Sequence, residues 1–353
     1  MIKIKRLHRK ERKRQRKIII FSMCLVFLGF STGYAAFSTG IVMNAKGNIK
    51  EKAISVSELK TEVVTSGDGL YKDYTEDGRY VYKGVNPNNY IKLGDDMYRI
   101  IAAESDNTLK VVRSKSIGAY VIDNMHSRQS QSSDDFCYND YGKTYYGCNV
   151  WGNKYTMLDS YENNITQMAR RNDKKNLPEK EATLNTFLNN EWISTLSSDV
   201  AQLIVSHIFN VGYVSMTEYT DLKKSTDTEK QYKWKGKIGL INVTDYVKVG
   251  LDSELCGSVY LNSSNSSNAT TCQKANWMYL SFGMPDFWTI TPVSNGYPTN
   301  WVHLNPNSGF NGFYDVSTVG GGGDRNVVPA FFLSSNILLK GHGTESQPYI
   351  VAQ

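Results

Sequence analysis

Tyr80-Val81-Tyr82-Lys83-Gly84, then Asn89-Tyr90-Ile91-Lys92-Leu93, then Met97-Tyr98-Arg99-Ile100-Ile101-Ala102, then Leu109-Lys110-Val111-Val112-Arg113: from Arg79 the chain becomes a series of short runs rich in β-branched and aromatic residues. Alternation with a period of two is the mark of a strand with two distinct faces. Gly94-Asp95-Asp96 and Asp106-Asn107 sit between the runs and supply turns. Strands joined by such short connections fold back on one another, so the stretch predicts hairpins and the start of an antiparallel sheet.

Downstream, helical spacing interrupts the strand pattern. Leu184, Phe187, Leu188 and Trp192 recur at helical intervals within Thr183–Trp192 and predict a helix with one face inward. Ser197-Ser198-Asp199 reads as the cap of a second apolar segment, Val200–Phe209, which puts His207 on a helix as a core residue. Lys233–Ile241 reads as a strand, and Thr244–Val247 as a short capped helix. Trp288–Pro292, Trp301–Leu304 and Val327–Leu333 are strands that close the sheet, and Pro348–Val351 is the last one. Between these elements, Ser114–Leu177 is long and polar, and a loop of that length inside a compact domain needs to be tied down or to serve a function. The expected class is α+β, an antiparallel-sheet-rich extracellular domain over residues 79–353 with two or three helices. No internal repeat is present.

Upstream of the sheet, residues 38–78 read as a tether, with Ser57–Val64 able to form a short helix or strand. Ahead of it lies Ile18–Phe37, a run without charge, and ahead of that a basic stub over residues 1–17 with ten Lys or Arg against the single Glu11. Twenty residues rise about 30 Å as a helix, which matches a bilayer core. The basic flank keeps the stub in the cytoplasm and exports everything after residue 37. Gly33-Tyr34-Ala35 also places small residues where a signal peptidase cuts. Two outcomes stay open: a single-pass cell-membrane protein with its C-terminus outside, or a protein secreted after cleavage near Ala35.

Charge counted by segment excludes a nucleic-acid partner. The formal charge of the whole chain is +6, yet beyond residue 17 there remain 30 basic and 33 acidic residues, a net of −3. An exported part that is mildly acidic carries no phosphate-binding footprint. Cys24 lies within the apolar run, which leaves Cys137, Cys148, Cys256 and Cys272 outside, where pairing is expected. Four cysteines allow three connectivities. The local pairs Cys137–Cys148 and Cys256–Cys272 are favoured because each closes a polar loop. Neither pair has the CxxC spacing or nearby His of a metal site. The exported histidines His126, His207, His303 and His342 lack ligand spacing, and no G-x-S-x-G or phosphate-binding loop appears. No catalytic residue, metal or cofactor is therefore predicted.

Three resemblances add to this reading. Gly33–Ser38 followed by Ala45–Ile49 resembles the leader-to-mature junction of camelysin-type and biofilm-fibre proteins of Gram-positive bacteria. Asn89–Leu93, Met97–Ile101, Cys148–Trp151, Leu184–Asn189, Trp234–Leu240, Trp288–Pro292 and Gly343-Thr344 with Pro348-Tyr349 resemble a group of uncharacterised surface proteins of gut Firmicutes, from Gly69 to the end of the chain. A Trp-rich strand, a variable loop and a closing strand also look like the C-terminal half of the C-type-lectin-like fold. Here the closing strand reads Val327-Val328-Pro329-Ala330, with Val328 where that fold has Arg. The lectin comparison implies an acidic Pro-centred loop, which Met284-Pro285-Asp286 echoes, and a Trp-Asn-Asp strand, which is missing.

Trp277, Tyr279, Trp288, Tyr297 and Trp301, with Asp286, cluster near the polar loops and are the candidate ligand-binding residues. Each Trp has an ordinary core role as its competing assignment. The expectation is a non-catalytic exported surface protein for adhesion or for binding a glycan or protein ligand. The alternatives are a structural component of an extracellular matrix or fibre, and an enzyme whose active site leaves no motif. The sequence sets no oligomeric state.

Overall fold

The computed structural model describes residues 52–123, 150–158, 177–214, 219–260, 269–282, 287–292, 300–304, 313–315 and 324–352. The chain divides into Met1–Lys52 and Ala53–Gln353, and the second unit holds all the elements below. The apolar run 18–37, the basic stub, Cys137 and Cys148 lie outside the described residues. Among those described, no helix is long and apolar enough to cross a membrane.

The first strands in chain order are β1 (Ile54–Ser55), β2 (Gly69–Lys72), β3 (Tyr80–Lys83), β4 (Tyr90–Leu93), β5 (Asp96–Ala103), β6 (Leu109–Arg113) and β7 (Ala119–Tyr120). The middle of the chain adds β8 (Ile204–Val205), β9 (His207–Asn210), β10 (Lys233–Gly236) and β11 (Ile238–Gly239). The last part adds β12 (Phe287–Pro292), β13 (Asn300–Leu304), β14 (Phe313–Asp315), β15 (Arg325–Asn326), β16 (Ala330–Leu333), β17 (Leu338–Lys340) and β18 (Tyr349–Val351). With short helices set among them, the class is α+β.

The main sheet runs β1-β17-β18-β4-β5-β6-β16-β11, with β3 and β2 continuing from the end of β5 and β8 joining β16. The predicted hairpins are its centre: Tyr90 pairs with Arg99, and Ile100 with Val111, in antiparallel register. A register shift in the β5–β6 pairing falls between Ile100 and Ala102. A smaller sheet, β14-β13-β12-β15-β7, and the β9–β10 ribbon complete the pairing.

Both faces of the main sheet are covered. One apolar cluster gathers Tyr98, Ile100, Val111, Phe331 and Leu333 with Leu184, Leu188 and Trp234. The other gathers Val81, Ala102, Val112 and Ala330 with Tyr246, Val247, Val259, Trp277 and Met278 from helices. Burial on two faces explains why β5 is buried continuously from Tyr98 to Ala103 rather than at every second residue.

The fold begins earlier than the expected boundary at Arg79. Ile54 pairs with Leu339, and Leu70 with Tyr82, so much of the supposed tether 38–78 belongs to the domain. The local cause is a capping box. Ser55 Oγ accepts from the Glu58 amide while Glu58 Oε2 accepts from the Ser55 amide, starting a one-turn helix, Val56–Leu59, whose Val56 and Leu59 are buried.

A second difference concerns Val200–Phe209. Ser197 does cap a helix, but it ends at Leu203, and β-branched Ile204 and Val205 pair with Leu333 and Phe332 instead. His207 therefore lies on β9, stacked 3.9 Å from the Phe332 ring and 3.1 Å from Asp106 Oδ2, not on a helix. The helix predicted over Thr183–Trp192 forms, widening to π geometry from Phe187. Helices Leu222–Glu229, Ser253–Tyr260, Ala269–Lys274 and Trp277–Phe282 exceed the two or three expected. The disulfide Cys256–Cys272 joins two of them.

Candidate functional site

The helix-covered face of the sheet holds two groups of buried charge, and they differ in how they are neutralised. The first is built around Arg79, just before β3. Its guanidinium lies 2.9 Å from Asp73, 3.1 Å from Glu104 and 2.8 Å from Asp245. Lys110 of β6 reaches the other Asp245 oxygen at 2.6 Å, and Lys248 reaches Asp73 at 3.1 Å and Glu76 at 2.8 Å. Asp245 and Lys248 belong to the helix Val243–Lys248, every residue of which is buried, so its polar side chains need partners on the sheet side. Burial alone would raise the carboxyls of Asp73 and Asp245. Lys248 and Arg79 beside the first, and Lys110 and Arg79 beside the second, hold both well below the usual carboxylate range. Each carboxylate is matched by a cation, so the network works as a clamp between helix and sheet.

Glu229 sits beside this network without a cation of its own. Its carboxyl accepts hydrogen bonds from the hydroxyls of Thr244 and of Thr291, the latter at 2.7 Å. Burial, helped by neighbouring Asp245, pushes it up to about 7 against those two hydroxyls and Lys248.

The second group is a single cation, Arg99 of β5, only 1% exposed. Its Nε donates to Asn89 Oδ1 at 2.5 Å and its Nη1 to Ser281 Oγ at 2.7 Å, with a long contact of 3.4 Å from Nη2 to the Pro87 carbonyl. All three acceptors are neutral. None of the ion pairs among the described residues includes Arg99. The pairing register places Tyr90 opposite Arg99 on β4, and the Tyr90 ring covers the guanidinium at 3.7 Å. The Trp277 ring, carried by the helix Trp277–Phe282, lies 4.7 Å away. Burial brings the Arg99 guanidinium down to about 10 against the opposing influence of Tyr90 and of the Glu345 carboxylate, so it is charged at neutral pH.

Arg99 lines a cleft of about 850 Å³. Ser114 and Ser281 contribute hydroxyls to the same wall, and Ser114 Oγ is buried without a hydrogen-bond partner. Val85 and Leu280, 43% and 45% exposed, form an apolar rim. Lys115 and Glu345 stand at the surface of the cleft with opposite charges. A buried cation with neutral partners and an orphaned hydroxyl in one cleft is an arrangement prepared for an anion.

A second cleft, of about 610 Å³, is lined by Tyr120, Phe187, Leu184, Lys180 and Glu191. Tyr120 and Phe187 stack there at 4.8 Å.

Of the aromatic residues singled out in the sequence, two tryptophans are placed in the core. Trp277 and Trp288 are buried at 0% and 1% exposed, and their indole N–H groups donate to the carbonyls of Tyr82 and Tyr120. They are core residues, as bulky apolar rings with one satisfied donor usually are. Trp277 touches the candidate site from below through Arg99. Tyr279 is half-buried against the helical core cluster. Trp301 lies on β13, opposite Tyr314. Asp286 and Tyr297 lie outside the described residues, as does the proposed Cys137–Cys148 pair, whereas Cys256–Cys272 is formed. Among the described residues, no group of His, Cys, Asp and Glu is placed to hold a metal ion.

Arg99, Ser114, Leu280 and Ser281 were not singled out from sequence. The available signal was an arginine between Tyr98 and Ile100 in the otherwise uncharged run Met97–Ala103, a position where a charge needs a reason. Comparison of the chain with protein-family models, with curated proteins and with solved structures finds no match.

Proposed function

We propose that this chain is a non-catalytic, exported surface protein that binds a ligand, glycan or protein, through an anionic group held in the Arg99 cleft. The observation that carries the reading is a buried guanidinium whose close partners are all neutral, lining an open cleft. A buried cation of this kind is costly unless a counter-charge arrives, and a ligand is one way to supply it. The export half of the proposal rests on the basic stub and the apolar run 18–37, which make the chain single-pass with its C-terminus outside, or secreted after a cut near Ala35. The sheet-rich domain is read as C-type-lectin-like in the same proposal, on the strength of the Trp288–Pro292 strand and the closing strand after Asn326.

The test is the full chain, in lipid nanodiscs, on an array of acidic and neutral glycans and of host and bacterial surface proteins, run beside Leu280→Asp. Leu280 is exposed, so the variant tests the cleft without disturbing the core. Signal from acidic ligands that is lost in Leu280→Asp supports the reading. Signal unaffected by the variant places binding elsewhere, and silence across the array contradicts a binding function.

A further inference from the structure

Three features of the Arg99 cleft restrict what its ligand can be, and the argument rests on the reading just given. The first is hydrogen-bond direction. Ser281 Oγ accepts from Arg99 Nη1, so its own proton points away from the guanidinium, and no acceptor for it appears among the described residues. A hydroxyl polarised in this way is a strong outward donor. Ser114 Oγ, buried and unpartnered on a residue of the same wall, is a second donor with its hydrogen bond unmade. Two donors backed by a positive charge suit an oxyanion.

The second feature is the charge count. One buried cation stands behind the hydroxyls, and exposed Lys115 and Glu345 add one charge of each sign to the lining, with Glu345 close enough to act on Arg99. With Arg99, Lys115 and Glu345 the lining carries a net of one positive charge, which a single negative charge matches and a dianion such as phosphate exceeds. The third is the rim. Val85 and Leu280 are among the exposed large hydrophobic side chains of the domain, with buried Phe282 beside them. Apolar walls around a charged floor select a ligand with the same division.

We propose that the cleft takes a monocarboxylate carried on an apolar frame. Its carboxylate accepts from the hydroxyls of Ser114 and Ser281 above Arg99, and its frame lies along Leu280 and Val85. Binding is non-covalent and leaves the ligand unchanged. The Asn89 bond and the Tyr90 ring hold the guanidinium in place before the ligand arrives, so little ordering is lost on binding.

The probe is 3-phenylpropionate, compared with its neutral amide and with inorganic phosphate, each titrated calorimetrically into the full chain in nanodiscs at pH 7. The expected result is saturable binding of the acid, at least ten-fold tighter than the amide, with phosphate no better than the amide. The double variant Ser114→Ala/Ser281→Ala, which leaves Arg99 in place, is expected to weaken the acid at least ten-fold with its melting temperature held. Leu280→Asp is expected to do the same. Equal binding of acid and amide overturns the carboxylate assignment while leaving an apolar cleft, and tighter binding of phosphate overturns the monoanion. If none of the three binds and the array signal is indifferent to Leu280→Asp, the cleft itself is not the site.

Discussion

Three buried ionisable residues behave differently because their partners differ. Arg79 is enclosed by carboxylates, and removing it leaves Asp73, Glu104 and Asp245 facing one another with less counter-charge. Arg79→Met is expected to destabilise the fold by about 3–5 kcal/mol, measured by urea unfolding. Glu229 accepts from two hydroxyls and the Thr244 amide but from no cation, and its position near 7 sets a pH dependence whose sign is fixed. Between the ordinary glutamate value, about 4.3, and about 7, the folded chain holds a proton that the unfolded chain has released, so stability falls as pH rises through that window. Glu76, lowered to about 2 by Lys248 and Arg79 against its burial, and the more strongly lowered Asp73 and Asp245, act in the opposite sense. Their contribution is complete above about pH 4.5 and is lost as pH falls below it, which places maximum stability near pH 5. Glu229→Gln is expected to flatten the loss between pH 5 and 8 by roughly 2 kcal/mol, and an unchanged slope in denaturation series across that range would refute the assignment. Arg99 is the third case, a cation whose hydrogen-bond acceptors are all neutral and whose nearest carboxylate influence, Glu345, comes from across the cleft lining. Sequence shows each of these charges but not its neighbours: Arg79 and Asp245 are 166 residues apart, and only the fold brings them to 2.8 Å.

At the scale of elements, local patterns were legible wherever one physical cause acted alone. The hairpins β4–β5 and β5–β6 follow from their turn residues and form as read, whereas β3 pairs with β2 and β5 rather than with β4. The helix Thr183–Trp192 follows from apolar spacing and forms as well. Ala201-Gln202-Leu203-Ile204-Val205 misled because an apolar run suits either state. The pairing of Ile204 and Val205 with β16, far along the chain, decides for strand. The same limit hid the site, since Ser114 follows β6 while Leu280 and Ser281 sit on a helix some 166 residues later, and no spacing links them. Gly343 shows the reverse, a local residue with a non-local reason. Its φ is +66°, and a side-chain carbon there would come within 2.3 Å of the Asn88 carbonyl, at the turn that hands its own carbonyl to the Tyr90 amide. The disulfide Cys256–Cys272 was readable from its polar loop, and it ties the helices Ser253–Tyr260 and Ala269–Lys274. Replacing both cysteines by alanine is expected to cost about 3 kcal/mol. A melting temperature equal to that of the parent under non-reducing conditions would show that the crosslink constrains nothing.

For the whole molecule, charge and hydropathy argue for export, and the domain from Ala53 onward argues for a ligand. Protease added to intact cells is expected to remove the domain while sparing the basic stub, and protection of the entire chain would contradict the proposed orientation. The two halves of the account meet in one requirement, that the cleft beneath Val85 and Leu280 be occupied by an anion whose charge answers Arg99. A crystal structure of the full chain with 3-phenylpropionate tests this most directly. The account predicts the carboxylate within hydrogen-bond reach of Ser114 Oγ and Ser281 Oγ and the ring against Leu280. Solvent alone in that cleft at saturating ligand, or the ligand bound elsewhere, would contradict it.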